Sequence, residues 1–235
     1  MSIAENVAAI RSQMNAAALA AGRDPSQILL CAATKMNDAD AVRQAIAAGV
    51  DCCGENRVQE LTKKLSEDAY RGAPVHFIGH LQTNKVRQVV GKVDLIQSVD
   101  RLNLMEAIEK EAARQGLVQD ILLEINIGRE PSKSGFFAEE LPQILDQFYK
   151  FCHLRVRGLM AIPPICKHPG ENFEFFQEIS QLSVDISRKK YDNVNADCLS
   201  MGMSDDFADA IACGSTMVRV GTAIFGARNY DKPHL

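Results

Sequence analysis

Eight short apolar runs, spaced by longer amphipathic segments, constrain what this chain can fold into more than any other feature of its sequence. The runs are ILLCAAT (28–34), VDCCGE (50–55), VHFIGH (75–80), DLIQSV (94–99), DILLEINIG (120–128), RVRGLMAI (155–162), ADCLSMG (196–202) and MVRVGT (217–222). Between them, segments 38–48, 56–68, 82–90, 101–115, 137–151, 171–190 and 204–213 carry apolar residues at helical spacing. The fourth is predicted to open at Asp100 and the seventh at Ser204, both good N-cap residues. This alternation is that of a parallel sheet covered by helices. Eight such units in 235 residues predict a closed (β/α)8 barrel, because closure removes the edges an open sheet would expose. The rival is an open doubly wound sheet, but no G-x-G-x-x-G follows the first run and no G-x-x-x-x-G-K-[ST] occurs. The expected fold class is therefore α/β, a single TIM barrel with an extra N-terminal helix, residues 1–235 forming one domain.

Composition narrows the function. With 46% apolar and 24% charged residues the chain is an ordinary globule. Its 26 Lys and Arg against 30 Asp and Glu give no global basic field for nucleic acid. No run reaches the roughly 18 apolar residues that cross a bilayer, and the N-terminus lacks the basic leader and apolar stretch of a signal peptide. Seven cysteines, an odd number with no C-x-x-C pair, sit mostly in apolar runs as reduced core residues. A cytoplasmic protein is expected. His76 and His80 are four apart across a strand and its turn, a spacing that does not align two ligands, so no metal site is expected.

In a barrel, chemistry belongs at the C-terminal ends of the strands. Lys35 follows the first strand, where partial desolvation would favour the neutral amine that attacks an aldehyde. Gly221 and Thr222 would open a short helix whose unpaired amides receive an anion. The preceding loop, LSMGMS, supplies Ser200 to the same phosphate cup. Arg219 shares a strand face with Gly221, and a guanidinium inside a barrel needs a carboxylate or a ligand. Asn56 could orient a polar ligand group or cap a helix. Lys133 and Ser134 form a polar turn after the fifth strand. A lysine for an aldehyde, a phosphate cup and an arginine match pyridoxal phosphate, and would equally suit a Schiff-base aldolase acting on a sugar phosphate.

Several ordered stretches then resemble one family across nearly the whole chain: Thr34-Lys35, GENRVQE (54–60), HFIGHLQTNK (76–85), SVDR (98–101), INIGREPSKSGF (125–136), RGLMAI (157–162), LSMGMSDDF (199–207) and STMVRVGTAIFGAR (215–228). The resemblance is to the pyridoxal phosphate homeostasis proteins, similar to the barrel domain of alanine racemase. It implies that Lys35 carries pyridoxal 5'-phosphate as an internal aldimine. It also implies that Ser200, Gly221 and Thr222 hold the phosphate, that Arg219 faces the pyridine nitrogen and that Asn56 lies near the ring. The chain departs from the family at Val75, Cys53 and Met36-Asn37-Asp38.

An arginine that keeps its proton leaves the pyridine nitrogen unprotonated and the ring a poor electron sink. A racemase also needs a second base, and none of Tyr70, Tyr149, Tyr191 and Tyr230 falls at a predicted strand end. The expectation is a protein that binds, buffers and delivers the cofactor without substantial catalysis, with PLP-dependent apoenzymes as recipients and a monomer or weak dimer as its state. A low-activity amino-acid racemase is the alternative. Lys133 and Lys232 are candidates for a second, transient aldimine.

Overall fold

In the computed structural model, which describes residues 1–165, 168 and 170–226, eight parallel strands close into a barrel in the order in which they occur in the chain. The chain enters through α1 (Ile3–Ala20) and then runs β1 (Leu29–Ala33), α2 (Ala39–Ala47), β2 (Cys52–Glu55), α3 (Val58–Ser66), β3 (Val75–Phe77), β4 (Leu95–Val99), α4 (Leu102–Gln115) and β5 (Gln119–Ile125). It continues through α5 (Leu141–Asp146), β6 (Leu154–Ala161), α6 (Phe173–Lys189), β7 (Val194–Ser200), α7 (Phe207–Ala212), β8 (Met217–Val220) and α8 (Thr222–Phe225). The ring closes where Leu29 to Ala32 of β1 pair with Met217 to Val220 of β8.

Strands such as β3, β4 and β8 are buried along their whole length, one face against helices and one in the barrel, whereas β7 and the start of β6 are partly exposed. Residues such as Ile96, Ile121, Leu123 and Val156 form the main core under the helices. A second cluster lies between β1, β8 and α1. Val7, Ile10, Met14 and Ala18 supply the buried stripe of α1 at helical spacing. A capping box between Ser2 and Glu5 starts that helix. In β6, Gly158 has φ +142 and lies so close to β7 that an added Cβ would sit 1.8 Å from the Cys198 carbonyl oxygen. The register between those strands shifts there, as it does at a bulge.

Three local expectations differ. Segment 82–90 folds as a 3-10 helix over Thr83–Gln88 rather than an α-helix. Segment 137–151 breaks into short 3-10 pieces around the six residues of α5, with Pro142 inside its first turn. The N-caps are Arg101 and Asp206, not Asp100 and Ser204. Asp100 is buried and contacts Arg101 and His80 instead, so a carboxylate suited to a cap is taken up by the side chains beside it. No helix among the described residues is long and apolar enough to cross a membrane.

Candidate functional site

Lys35 follows β1 at the barrel mouth, and its backbone is held from both sides. Thr34 N–H donates to the Gly54 carbonyl at 2.9 Å, and the Thr34 hydroxyl donates to the Glu55 carboxylate. Lys64 Nζ donates to the Thr34 carbonyl at 2.7 Å and also pairs with Glu55. On the other side Met36 adopts φ +62, and its N–H donates to Glu60 Oε2 at 2.6 Å. A side chain rarely tolerates that backbone region, so α3, through Lys64 and Glu60, fixes the turn that presents the lysine. Desolvation raises the Glu55 carboxyl above its ordinary range, against the lowering effect of Lys64.

Lys35, Asn56, Ser204, Arg219, Gly221 and Thr222 line one cavity of about 1330 Å³ at this mouth. Gly221 is the N-cap of α8 and Thr222 its first residue, as predicted from VRVGT. Asn56 lies between β2 and α3, and its Oδ1 is buried without a hydrogen-bond partner. Arg219 is buried. Its Nη1 donates to Ser200 Oγ at 2.6 Å and its Nη2 to the Ala161 carbonyl at 2.9 Å. Burial lowers its pKa from the ordinary arginine value.

Ser200 lies deeper than the loop position expected for it. It ends β7, is fully buried and does not line the cavity. Its hydroxyl accepts from Arg219 and donates to Gln97 Oε1 at 2.7 Å. Ser204, four residues on in the same LSMGMS motif, stands on the cavity wall. The strand runs two residues further toward its N-terminus than the apolar pattern indicates, beginning at Val194 instead of 196, and ends at Ser200. The motif's first serine therefore belongs to the strand and its second to the loop.

A smaller pocket of about 250 Å³ adjoins the cavity through Asn56, Ile78 and Ile162. Glu124, His80 and Lys133 also line it. Burial, with the neighbouring Asp100 charge, pushes the Glu124 carboxyl up to about 7, although Arg219 opposes the shift. Lys133 Nζ contacts Glu130 at 2.6 Å and donates to the Pro163 carbonyl at 3.2 Å. Ser134 Oγ lies 3.3 Å from His80 Nδ1. Tyr70 is buried with its hydroxyl on Glu55, and Tyr149 is exposed. Lys232, Tyr230 and Cys166 lie outside the described residues.

One group of chemistry-bearing residues has no counterpart in the sequence reading. Cys31, Cys52 and His76, from three successive strands, offer ligand atoms within 4.8 Å of one another inside the barrel. Strand pairing brings them together: Cys31 is the register partner of Cys52, and His76 that of Gly54, two residues along the same strand. Linear spacing carries no sign of this. A hydrogen bond from the Cys52 thiol is the main cause that lowers the Cys31 thiol, whereas the same contact and burial raise Cys52.

Residues 2–229 match the family model for the alanine racemase N-terminal domain. The chain is 38% identical to a pyridoxal phosphate homeostasis protein of Aquifex aeolicus over 98% of its own length and 100% of that protein's. It is 41% identical to that of Escherichia coli, with 98% of each chain covered. Among solved structures, PipY of Synechococcus elongatus with PLP bound superposes with a TM-score of 0.83 at 33% identity, covering 96% of this chain and 100% of that one. Alanine racemase of Clostridium difficile shares the fold alone, at 14% identity and a TM-score of 0.67, with this chain spanning 53% of its length.

Proposed function

The chain belongs to the alanine racemase N-terminal domain family and, within it, to the pyridoxal phosphate homeostasis proteins, and from that premise we propose that it binds pyridoxal 5'-phosphate at the barrel mouth and holds it for delivery. The observation that carries this reading is the shared cavity: Lys35, Arg219, Asn56 and the first residues of α8 all line one space. These residues fit the group. Pyridoxal 5'-phosphate supplies an aldehyde that condenses reversibly with a primary amine.

Lys35 is the amine. Its turn is held by Glu60 and Lys64, so little conformational freedom is lost when a covalent bond forms at Nζ. Gly221 and Thr222 offer amides at the start of α8, and Ser204 adds a hydroxyl, so that phosphate oxygens are bound without a paired lysine. Ser200 holds Arg219 from beneath, and Arg219 would donate to the ring nitrogen while keeping its own proton. Asn56 would meet the ring's polar edge.

An arginine at the ring nitrogen would keep its own proton and leave that nitrogen unprotonated, a weaker electron sink than a protonated ring, which supports a carrier over a catalyst. PLP-dependent apoenzymes are the recipients this reading implies. The racemase alternative draws on one observation, the carboxyl of Glu124 raised to about 7 beside the cavity, a value suited to proton transfer near neutrality.

The test is spectroscopic. Purified protein given pyridoxal 5'-phosphate should gain a visible absorption band, and borohydride should then add one reduced cofactor mass to the peptide containing Lys35. Lys35→Ala should show neither. A wild-type protein that takes up no added cofactor, or a label placed mainly on another lysine, overturns the assignment. Loss of optical activity from L-alanine, above a Lys35→Ala control and reduced in Glu124→Gln, would favour the racemase.

A further inference from the structure

Cofactor capture at the mouth makes no use of the two thiols and imidazole buried within the barrel. Cys31, Cys52 and His76 are at most 7% exposed, and their ligand atoms lie within 4.8 Å of one another. Gln97 Nε2 stands 2.9 Å from His76 Nδ1, which leaves Nε2 as the ring atom for the thiols. A ligating histidine carries its proton on the distal nitrogen and donates it outward, so Nε2 binds a metal once the Gln97 amide turns its oxygen toward Nδ1. The same Gln97 amide reaches Met217 Sδ at 3.1 Å, and Met217 packs in one cluster with Cys31, Cys52 and Cys198. Three strands thus converge a soft donor set in a dry interior.

We propose that Cys31, Cys52 and His76 form a binding site for one soft d10 metal ion, Cu(I). Thiolate and thioether surroundings select soft ions. A closed zinc site takes four ligands, whereas this cluster presents three, a number that suits Cu(I). Charge points the same way. Arg219 is the register partner of Cys31 on its other side, and its two hydrogen bonds go to a hydroxyl and a carbonyl. Two thiolates and one Cu(I) carry a net charge of minus one beside that guanidinium. The same ligands around Zn(II) are neutral and add nothing to the charge that Glu124 and Asp206 set against it. On binding, two Cu–S bonds and one Cu–N bond form, two thiol protons pass to the solvent, the imidazole proton moves from Nε2 to Nδ1, where the turned Gln97 amide oxygen accepts it, and no electron is transferred.

The test uses the full-length protein without oxygen, titrated with Cu(I) against a chromophoric Cu(I) chelator. One Cu(I) per chain should be retained, with near-ultraviolet sulfur-to-copper absorption, and X-ray absorption should report two sulfur neighbours and one nitrogen. Cys31→Ser, Cys52→Ser and His76→Asn should each weaken retention more than tenfold, whereas Lys35→Ala should retain one copper. Gln97→Leu should weaken it about 10–100-fold. Copper that is not retained, or retained equally by the cysteine variants, overturns the proposal. So does Zn(II) displacing Cu(I) at equal concentration, or a Cys31–Cys52 disulfide in the protein as purified. If a variant does not fold, the neighbours seen by X-ray absorption in the wild type decide alone.

Discussion

Glu124 is the residue at which burial and chemistry conflict most directly. Its carboxyl is raised to about 7 by desolvation and by Asp100, with Arg219 pulling the other way, and His80 and Lys133 share its pocket. In the unfolded chain a glutamate titrates near 4.3. Between these values the folded protein keeps a proton that the unfolded chain has released, so stability is highest at low pH, falls as pH rises toward 7 and levels off above it. Glu124→Gln removes that fall. Urea titrations of the cofactor-free protein at pH 5 and pH 8 should show the wild type losing about 2–4 kcal/mol relative to the variant between the two. Parallel losses would mean that Glu124 is already ionised at pH 5. The sequence gives no sign of this glutamate's role, because its neighbours come from other strands: Asp100 follows β4 and Arg219 lies on β8. Lys35, Arg219, Gly221 and Thr222 come together on one cavity wall, and a strand end or a turn glycine marks each one locally. Ser200 ends its strand beneath that wall, a depth that the LSMGMS motif does not display.

At the scale of elements, strands survive translation from sequence to structure better than helices do. A strand buried on both faces is a continuous apolar run, so all eight fall where the runs are. A helix on the outside has one buried stripe, and the segment at 83–88 buries Val86 alone, too little to require a full α-helix. Caps depend on what surrounds a side chain in space, which is why Asp100 was lost to Arg101 and His80. The contact between the β3 end and the β2–α3 turn likewise has no local signature. Gly79 lies against Asn56, where an added Cβ would come 2.1 Å from the Asn56 carbonyl oxygen. Gly79→Ala should therefore push the turn carrying Asn56 away from the cavity. We expect a stability loss of about 1–3 kcal/mol from overpacking and roughly tenfold weaker cofactor affinity, equivalent to about 1.4 kcal/mol. Absorbance titration measures the affinity, and unchanged binding would show that Asn56 does not touch the cofactor.

In the whole molecule, the N-terminal helix is the part that a plain barrel does not require, and its contacts explain where it sits. It packs across the seam between β1 and β8, on α7 and α8. Arg23 donates to the carbonyls of Ile211 and Ser215 at 2.7 Å, and Asn6 Nδ2 donates to the Ile224 carbonyl at 2.8 Å. Ile224 belongs to α8, the four-residue helix whose start faces the cavity. So short a helix has too few internal hydrogen bonds to hold itself, and α1 supplies the missing support from outside. If that support sets the phosphate-binding amides, two residues at the first turn of α1, one bonded within the helix and one to α8, should behave differently. Ser2→Ala removes the capping box, whose hydrogen bonds stay within α1 one turn before Asn6, and should cost about 1 kcal/mol of stability while leaving cofactor affinity unchanged. Asn6→Ala should cost a similar amount, about 1 kcal/mol, and should also weaken binding of pyridoxal 5'-phosphate several-fold, with a smaller effect on pyridoxal, which lacks the phosphate. Equal changes in the two variants, or equal weakening for both forms of the vitamin, would place the stabilising role of α1 in the core alone and not at the site.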